Sequence, residues 1–422
     1  ATLPKGAYVT INRDPHRSPR MLKRAIISGV PSSGVNVWDL GNVPVPVARY
    51  FTRVTEALGG VHVRLSPHDQ RVVDIRFMDA DGLNLSKERE RNIERTFFRE
   101  DFRRAYMDDI GTIEYPGLVI ERYATGFMKA LNVEAIRSAR FKIVIDYAHS
   151  PNSDVLPPLL ANLNVDVVPL NARVDALKIA VQQEDFEANL RQLAIIAGAL
   201  NTNLGLQLDV AGEKIFLVDN HGHMLADTTA AMLMATLALQ SKGAGTIVVP
   251  IDASHAFECL ADRYGGKVVR TRADLHALMI AAQEPDVILA TDGAGNFIFP
   301  EFQPVTDGLM ATAKLLEFLA TQQEPLSDLV NGLPEIYMES SRVACPWEIK
   351  GSVMRRLTEI HHTGEIQEGI KLTYGEREWV LIRPDPDYPH IMITAESTTS
   401  EKLTRLQERF QLEVRRLRDL TE

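Results

Sequence analysis

The chain has 422 residues and a net charge of −10, with 45% apolar and 24% charged residues. This length exceeds one ordinary hydrophobic core and indicates about two to four domains. The acidic balance argues against a general nucleic-acid binder, and no apolar run is long enough to cross a bilayer. Two distant cysteines, Cys259 and Cys345, exclude a disulfide framework and, with no signal peptide at the start, favour a cytoplasmic protein. An apolar strand already at residues 8–12 indicates a segment of a longer polypeptide, although a trimmed chain would look the same.

A pattern of strand, polar loop, amphipathic helix and second strand occurs three times along the chain. Such βαβ units build mostly parallel sheets with helices on both faces. The strand, helix and strand of the three copies are at residues 7–12, 21–30 and 35–40; 141–148, 155–164 and 165–171; and 246–252, 256–266 and 267–271. The repetition predicts three related α/β domains.

Each unit is followed by two apolar strands around a polar loop, at residues 59–82, 204–223 and 285–302. Ser66, Asp209 and Asp292 fall on these three loops. Ligands of open α/β sheets gather at loops beyond the strand ends. The sequence therefore predicts a cleft lined by loops from all three domains. In the second loop Asp209 and Glu213 flank Ala211, which is compatible with a degraded cation site or with an ordinary hairpin turn.

Linking helices are predicted at residues 116–133, with Pro116 in the first turn, at 227–243, with Asp227 as N-cap, and at 306–322. After these, short strands and a final helix predict a small α+β domain. Those strands are at residues 371–374, 378–384 and 390–397, and the helix is at 400–417. The predicted domains are residues 1–114, 115–223, 224–333 and 334–422.

This layout resembles the α-D-phosphohexomutase superfamily of phosphoglucomutases and phosphomannomutases over nearly the whole chain. The resemblance also rests on short framework motifs, which are Arg13–Asp14, Gly59–Gly60, Asp79–Gly82, "YGGKVVRT" at 264–271, Asp307–Gly308 and "VLIRP" at 380–384. It implies a fold of three repeated α/β/α phosphohexomutase domains plus a small C-terminal α+β domain, here without the family's first strand and helix. The chain also looks like the C-terminal mutase-like half of bacterial mannose-1-phosphate guanylyltransferase fusion proteins. That likeness implies an upstream nucleotidyltransferase partner in the same polypeptide and synthesis of sugar nucleotides.

In that family a phosphorylated serine exchanges its phosphoryl group with a hexose phosphate. The serine loop "TASHNP" corresponds to "RLSPHD" at 64–69, which puts Ser66 at the nucleophile position. The metal loop "DGDGDR", whose three aspartates hold magnesium, corresponds to "DVAGEK" at 209–214. Asp209 remains, Ala211 replaces one ligand and Glu213 replaces another, so magnesium binding should be weak. A family lysine that can act as a base corresponds to Arg76, and arginine cannot act as a base.

The other two loops of the family also differ here. The sugar loop, with a glutamate, a serine and a histidine in the family, corresponds to "TDGAGN" at 291–296, so Asp292 is the weak sugar-binding candidate. The phosphate loop "RPSGTEP" corresponds to "RPDPDYP" at 383–389. Arg383 is the remaining phosphate-binding candidate, while Asp385 and Asp387 would repel a phosphate and Pro386 removes one N–H donor.

Three hypotheses follow. The first is a phosphohexomutase module with degenerate active-site loops, a structural or regulatory part of a sugar-1-phosphate nucleotidyltransferase that needs no cofactor. The second is an active phosphohexomutase that interconverts hexose 1- and 6-phosphates through phospho-Ser66, with magnesium on Asp209 and Glu213. The third is a cleft repurposed for an anion or a divalent metal, using His16, Arg64, His68 and Asp69. We also expect a homo-oligomer that binds neither nucleic acid nor a membrane.

Overall fold

The computed structural model describes residues 3–66, 71–179, 183–322, 324–362, 365–366, 368–375, 377–386 and 388–421. Within these residues the strands form four sheets. The first three have parallel strands at the centre and an antiparallel strand at one edge, and the fourth is antiparallel throughout. The predicted architecture of three α/β/α domains and a small α+β domain is confirmed, while the four domain boundaries stay predictions.

The first sheet has the strand order β4-β3-β1-β2-β5. Its elements are β1 (Tyr8–Arg13), α1 (Arg17–Gly29), β2 (Asn36–Gly41), α2 (Val45–Arg53), β3 (Ala57–Leu65), β4 (Val73–Asp79), α3 (Lys87–Arg99) and β5 (Ile113–Glu114). β1 is parallel to β2 and β3, because helices connect these strands, whereas β4 returns antiparallel to β3 across a short loop. Helix α1 begins at Arg17, four residues before its predicted start, because the side chain of His16 caps its N-terminus.

The second and third sheets repeat the central part of this topology, with strand orders β7-β6-β8-β9 and β11-β10-β12-β13. The second domain contains α4 (Val119–Lys129), α5 (Val133–Ala139), β6 (Lys142–Asp146), α6 (Asn152–Asn162), β7 (Asp166–Leu170), α7 (Gln183–Ala199), β8 (Leu204–Leu208) and β9 (Ile215–Val218). The third contains α8 (Asp227–Lys242), β10 (Thr246–Pro250), α9 (Ala256–Arg263), β11 (Lys267–Thr271), α10 (Leu275–Ala281), β12 (Val287–Thr291), β13 (Phe297–Ile298), α11 (Gly308–Leu319) and α12 (Leu326–Asn331). The matching strand orders confirm the internal repeat.

Two residues predicted in the first turn or at the N-cap of a helix lie elsewhere. Pro116 lies before α4, which begins at Val119 after Leu118 in a left-handed conformation. Asp227 is the first residue of α8 rather than its N-cap, which is Ala226. Helix α8 is buried on nearly all sides from Ala230 to Leu239, and it packs with α11 in a hydrophobic core shared by the first three domains.

The fourth sheet has the order β14-β18-β17-β16-β15. Its elements are β14 (Tyr337–Ala344), α13 (Trp347–Ile360), β15 (Glu365–Ile366), β16 (Ile370–Gly375), β17 (Glu378–Pro384), β18 (His390–Ser397) and α14 (Ser400–Asp419). This domain has its own hydrophobic cluster, formed between the sheet and α13 and α14. In the described part of the chain no helix is both long and apolar enough to span a membrane.

Candidate active-site cleft

The loops that follow β8 and β12 meet at the junction of the first three domains, next to the end of β3. The β8–β9 loop is central. Ala211 accepts a backbone hydrogen bond from Val45 of the first domain at 2.9 Å, and Gly212 accepts one from Gly308 of the third at 2.8 Å. The amine of Lys214 donates to the carbonyl of Ala294 in the β12–β13 loop at 3.0 Å. The structure therefore brings the predicted loops of the second and third domains into direct contact.

Asp209 uses its carboxylate to hold its own turn. Its Oδ1 accepts hydrogen bonds from the backbone N–H groups of Glu213 and Lys214, at 2.7 and 2.9 Å. Gly212 takes φ +77° in this turn, and a Cβ there would collide with the side chain of Asn152, so glycine is required. Burial and the neighbouring charge of Glu213 raise the pKa of Asp209 to about 6.

Glu213 points the other way, toward arginines of the first domain. Its Oε1 lies 3.3 Å from Nη2 of Arg49 and accepts a hydrogen bond from Thr306 at 3.0 Å. Its Oε2 lies 3.9 Å from Nη1 of Arg64. Burial favours a neutral Glu213, but the charges of Arg49, Arg64 and Arg76 outweigh it and lower the pKa of Glu213 to about 2. Glu213 is therefore an anion at neutral pH.

Ser66 lies at the end of β3, next to these arginines. Its backbone N–H donates to Val72 at 2.9 Å, which extends the pairing of β3 with β4 by one step. Because side chains alternate along a strand, Ser66 is on the same face as Arg64. Asp74 pairs directly with Arg64 across the two strands, and Arg76 pairs with His62. The nucleophile position thus adjoins a face rich in charge.

The geometry gives little support to the hypothesis that the cleft is repurposed for an anion or a divalent metal. His16 accepts a hydrogen bond from the backbone of Ser18 through Nδ1, as the N-cap of α1. Arg64 belongs to the group around Glu213. His68 and Asp69 lie outside the described residues.

These residues do not fit a magnesium ion. Magnesium requires near-octahedral oxygen ligands at about 2.1 Å. Here Oδ1 of Asp209 is occupied by two N–H groups, both oxygens of Glu213 face donors, and Ala211 offers no side-chain ligand. Across the described ranges no group of three or more His, Cys, Asp or Glu residues could hold a metal ion.

Asp292, the sugar-loop candidate, likewise holds its own turn. Oδ1 accepts hydrogen bonds from the backbone N–H groups of Ala294 and Asn296, and Oδ2 accepts one from the side chain of Asn296 at 2.5 Å. Asp292 also borders a cavity of about 200 Å³ between the third and fourth domains, with Thr228, Asp252 and Ser340 among the other lining residues. Its carboxylate therefore supports the cavity wall.

Arg383, the phosphate-loop candidate, is bound to the third domain. Its Nη2 lies 2.8 Å from Oδ2 of Asp252. Burial raises the pKa of Asp252, although Arg383 opposes this rise. Asp385 accepts the backbone N–H of Tyr388 at 3.1 Å, and Lys350 donates to the carbonyl oxygens of both residues. Asp387 lies outside the described residues.

Sequence reasoning missed Arg49, Thr306 and Asp252, which provide the partners of the candidate residues. It also missed Glu396 of the fourth domain, which accepts hydrogen bonds from Ser254 and from the backbone of His255 in the third domain. Thr306 directly precedes the Asp307–Gly308 motif, Asp252 follows β10 and Glu396 lies in β18, and no local pattern marks these three residues as partners. Only the charge of Arg49 within the mostly apolar run 45–51 was a usable signal, because a buried arginine needs an anionic or carbonyl partner.

Family models match three parts of the chain. They are those of phosphoglucomutase/phosphomannomutase alpha/beta/alpha domain I at residues 1–104, domain II at 121–222 and domain III at 226–337. A phosphoglucomutase/phosphomannomutase of Thermococcus kodakarensis is 31% identical over 397 residues, which cover 93% of this chain and 87% of that protein. A probable phosphoglucosamine mutase of Methanopyrus kandleri is 29% identical, with 97% and 91% covered.

Solved structures show the same fold. A phosphoglucomutase/phosphomannomutase family protein from Burkholderia thailandensis superposes with a TM-score of 0.81 at 19% identity, covering 98% of this chain and 90% of that one. An Aspergillus fumigatus N-acetylphosphoglucosamine mutase, solved with GlcNAc-6P and magnesium, gives a TM-score of 0.63 at 12% identity and covers 99% and 79%. The three matched domains and the 31% identical relative show that this chain belongs to the phosphoglucomutase/phosphomannomutase family, within the α-D-phosphohexomutase superfamily.

Proposed function

We propose that this chain is a phosphohexomutase-fold module without magnesium-dependent mutase activity, which serves a sugar-nucleotide enzyme as a structural or regulatory part. One observation carries the proposal. At the metal loop, Glu213 forms an ion pair with Arg49 and adjoins Arg64, while Asp209 is bound by the backbone of its own turn. A divalent cation would have to displace both sets of contacts and would lie against like charges.

The chemistry of phosphoryl transfer supports the same conclusion. This reaction depends on positioned positive charge at the transferring group and on a residue that orients or deprotonates the nucleophile. Arg76 occupies the place of a possible base but keeps its proton at any physiological pH. Asp292 and Arg383, which would contact the sugar and its second phosphate, are already bound to Asn296 and Asp252.

An activity assay tests this proposal directly. Glucose 1-phosphate, mannose 1-phosphate and glucosamine 1-phosphate are each incubated with the protein, magnesium and the matching sugar bisphosphate. We expect equal background conversion for the wild type and for Ser66→Ala. Conversion by the wild type that Ser66→Ala abolishes would refute the proposal.

A second candidate function is an active phosphohexomutase that uses phospho-Ser66, with magnesium on Asp209 and Glu213. It is favoured by the 31% identity with the Thermococcus phosphoglucomutase/phosphomannomutase over 93% of this chain. The same assay decides it, with Asp209→Asn as a second variant. This candidate requires that magnesium displace Arg49 and Arg64 from Glu213.

The partner of this module is also part of the proposal. We infer a nucleotidyltransferase domain in the same polypeptide, a homo-oligomeric assembly and a cytoplasmic location. Reading the gene upstream of the Ala1 codon tests the first inference, and a start codon directly before the Ala1 codon would refute it. Light scattering on the purified protein tests the second, and a mass of 47.0 kDa would indicate a monomer.

A further inference from the structure

Residues 97–110 expose apolar side chains on the first domain, and we call them the 97–110 surface. They run from the C-terminal end of α3 along the amino-terminal edge of the first sheet. The large apolar residues of this stretch are between 51% and 88% exposed, and they are Phe97, Phe98, Phe102, Tyr106, Met107 and Ile110. Helix α3, whose residues are all described, has no buried side chain. The surface is therefore apolar but has no partner within the described chain.

The 97–110 surface is held in place by the chain beneath it. The backbone N–H of Ala105 donates to the carbonyl of Ser32 at 2.8 Å, and Nε of Arg103 donates to the carbonyl of Ser33 at 2.8 Å. These two acceptors shortly precede β2, at the amino end of the parallel strands. The cleft lies at the opposite end, where β3 terminates. A molecule bound at the 97–110 surface would therefore leave the cleft open.

The exposed apolar area is as large as that of a protein interface. If each of these large side chains presents about 200 Å² when free, their exposed parts amount to roughly 800 Å². The largest apolar patch on a monomeric protein is usually no more than about 600 Å², and a stable complex buries about 800 Å² on each partner. The 97–110 surface thus offers the area that a stable dimer needs.

The charges on either side of Phe102 are complementary to themselves. Glu100 and Asp101 precede Phe102, and Arg103 and Arg104 follow it. In a two-fold interface every contact occurs twice, because the same surface of both copies takes part. Antiparallel pairing of two copies about Phe102 brings Glu100 of each copy opposite Arg104 of the other, and both residues are exposed. A partner with only one sign of charge would instead be repelled by half of these charged residues.

We propose that the 97–110 surface is a two-fold interface at which a second copy of this chain binds. The inference rests on the homo-oligomeric assembly in the proposed function and on no other part of it. Phe98 and Tyr106 provide apolar contact area, as aromatic residues do at the centre of interfaces. Glu100 and Arg104 fix the antiparallel arrangement through opposite charges. Because the surface is already anchored through Arg103 and Ala105, little conformational entropy is lost on binding.

Sedimentation velocity over a series of concentrations tests the inference on the 422-residue chain. We expect the wild type to form a dimer with twice the mass of 47.0 kDa. Phe98→Ser should raise the dissociation constant of the dimer about tenfold or more, because a central aromatic contact is lost. Leu412→Ser is the matched control and should leave the constant unchanged, since Leu412 is a similarly exposed apolar residue on α14.

An exchange of charges identifies the partner. Glu100→Arg and Arg104→Glu should each raise the dissociation constant about fivefold or more, because each variant places like charges opposite one another twice. An equimolar mixture of the two variants should associate about as tightly as the wild type, since opposite charges then meet at both positions. This rescue would also show that both variants are folded.

The outcomes distinguish this inference from the proposed function. A wild type that remains a monomer overturns both the interface and the homo-oligomeric assembly, and it leaves the surface to a different protein domain. An oligomer that is equally stable in Phe98→Ser and in the charge variants overturns the interface alone. A mixture that associates no more tightly than the single charge variants also overturns it. None of these results bears on the absence of mutase activity, which the conversion assay tests separately.

Discussion

Two buried glutamates at domain junctions have opposite surroundings. Glu396, between the third and fourth domains, accepts hydrogen bonds from Ser254, the backbone of His255 and Trp379, at 2.6, 2.8 and 2.6 Å. Its charge is satisfied mostly by neutral donors. Glu213, between the first three domains, is held by the charges of Arg49, Arg64 and Arg76 and by a hydrogen bond from Thr306. The comparison teaches that a buried carboxylate can join domains through neutral donors or through arginines, and that only the second arrangement depends strongly on charge and therefore on pH.

The largest effect is expected at Glu396. Its side chain is 0% exposed, so Glu396→Ala leaves three donors buried without an acceptor. We expect the free energy of unfolding to fall by about 3 kcal/mol or more. Chemical denaturation measures this loss. Glu408→Ala, at an exposed position of α14, is the control. A loss no larger than that of the control would refute the structural role.

Glu213→Gln should change the pH dependence of the free energy of unfolding. The folded pKa of about 2 lies below the ordinary value of 4.5, so Glu213 stabilises the fold above pH 4.5 and this contribution is lost as the pH falls toward 2. The difference between the two pKa values corresponds to about 3 kcal/mol. Chemical denaturation between pH 5 and pH 2 measures this. The free energy of unfolding should fall less steeply for Glu213→Gln than for the wild type. An unchanged slope would mean that the arginines do not act on Glu213.

Asp209→Asn should change the pH dependence of the free energy of unfolding in the opposite direction. The folded pKa of about 6 lies above the ordinary 3.8, so the contribution of Asp209 is favourable below pH 3.8 and is lost as the pH rises through 6. After allowance for partial exposure, about 2 kcal/mol is involved. Asparagine keeps the acceptor for the turn, so the variant should lose less stability than the wild type between pH 4 and pH 7. Asp262→Asn is the exposed control, and a variant that follows the wild-type curve contradicts the prediction.

The smallest effect is expected at the Arg383–Asp252 ion pair, because both side chains are partly exposed, at 14% and 19%. A double-mutant cycle with Arg383→Ala and Asp252→Ala should give a coupling energy of about 1 kcal/mol. Denaturation of the two single variants and the double variant provides it. A coupling of zero would show that the pair does not hold the fourth domain against the third.

The sequence determined the architecture to a large extent, because hydrophobic periodicity and turn residues are local signals. The three strand–helix–strand units and the loops at Ser66, Asp209 and Asp292 emerged from such patterns. Elements without a clear local signal were missed, among them α2, α7 and α13. The resemblance to the family's metal loop also predicts a weakened metal site, because Ala211 stands in place of one aspartate ligand.

Only the tertiary structure decided what the remaining charged residues do. Glu213 lies 164 residues from Arg49, and Asp252 lies 131 residues from Arg383, so no local pattern relates the partners. The folded chain also shows that the carboxylates of Asp209 and Asp292 accept hydrogen bonds from the backbone of their own turns. Ion pairing depends on distance and desolvation in three dimensions, and both are set by packing rather than by residue type. For that reason the sequence located the cleft, and the structure determined its charge.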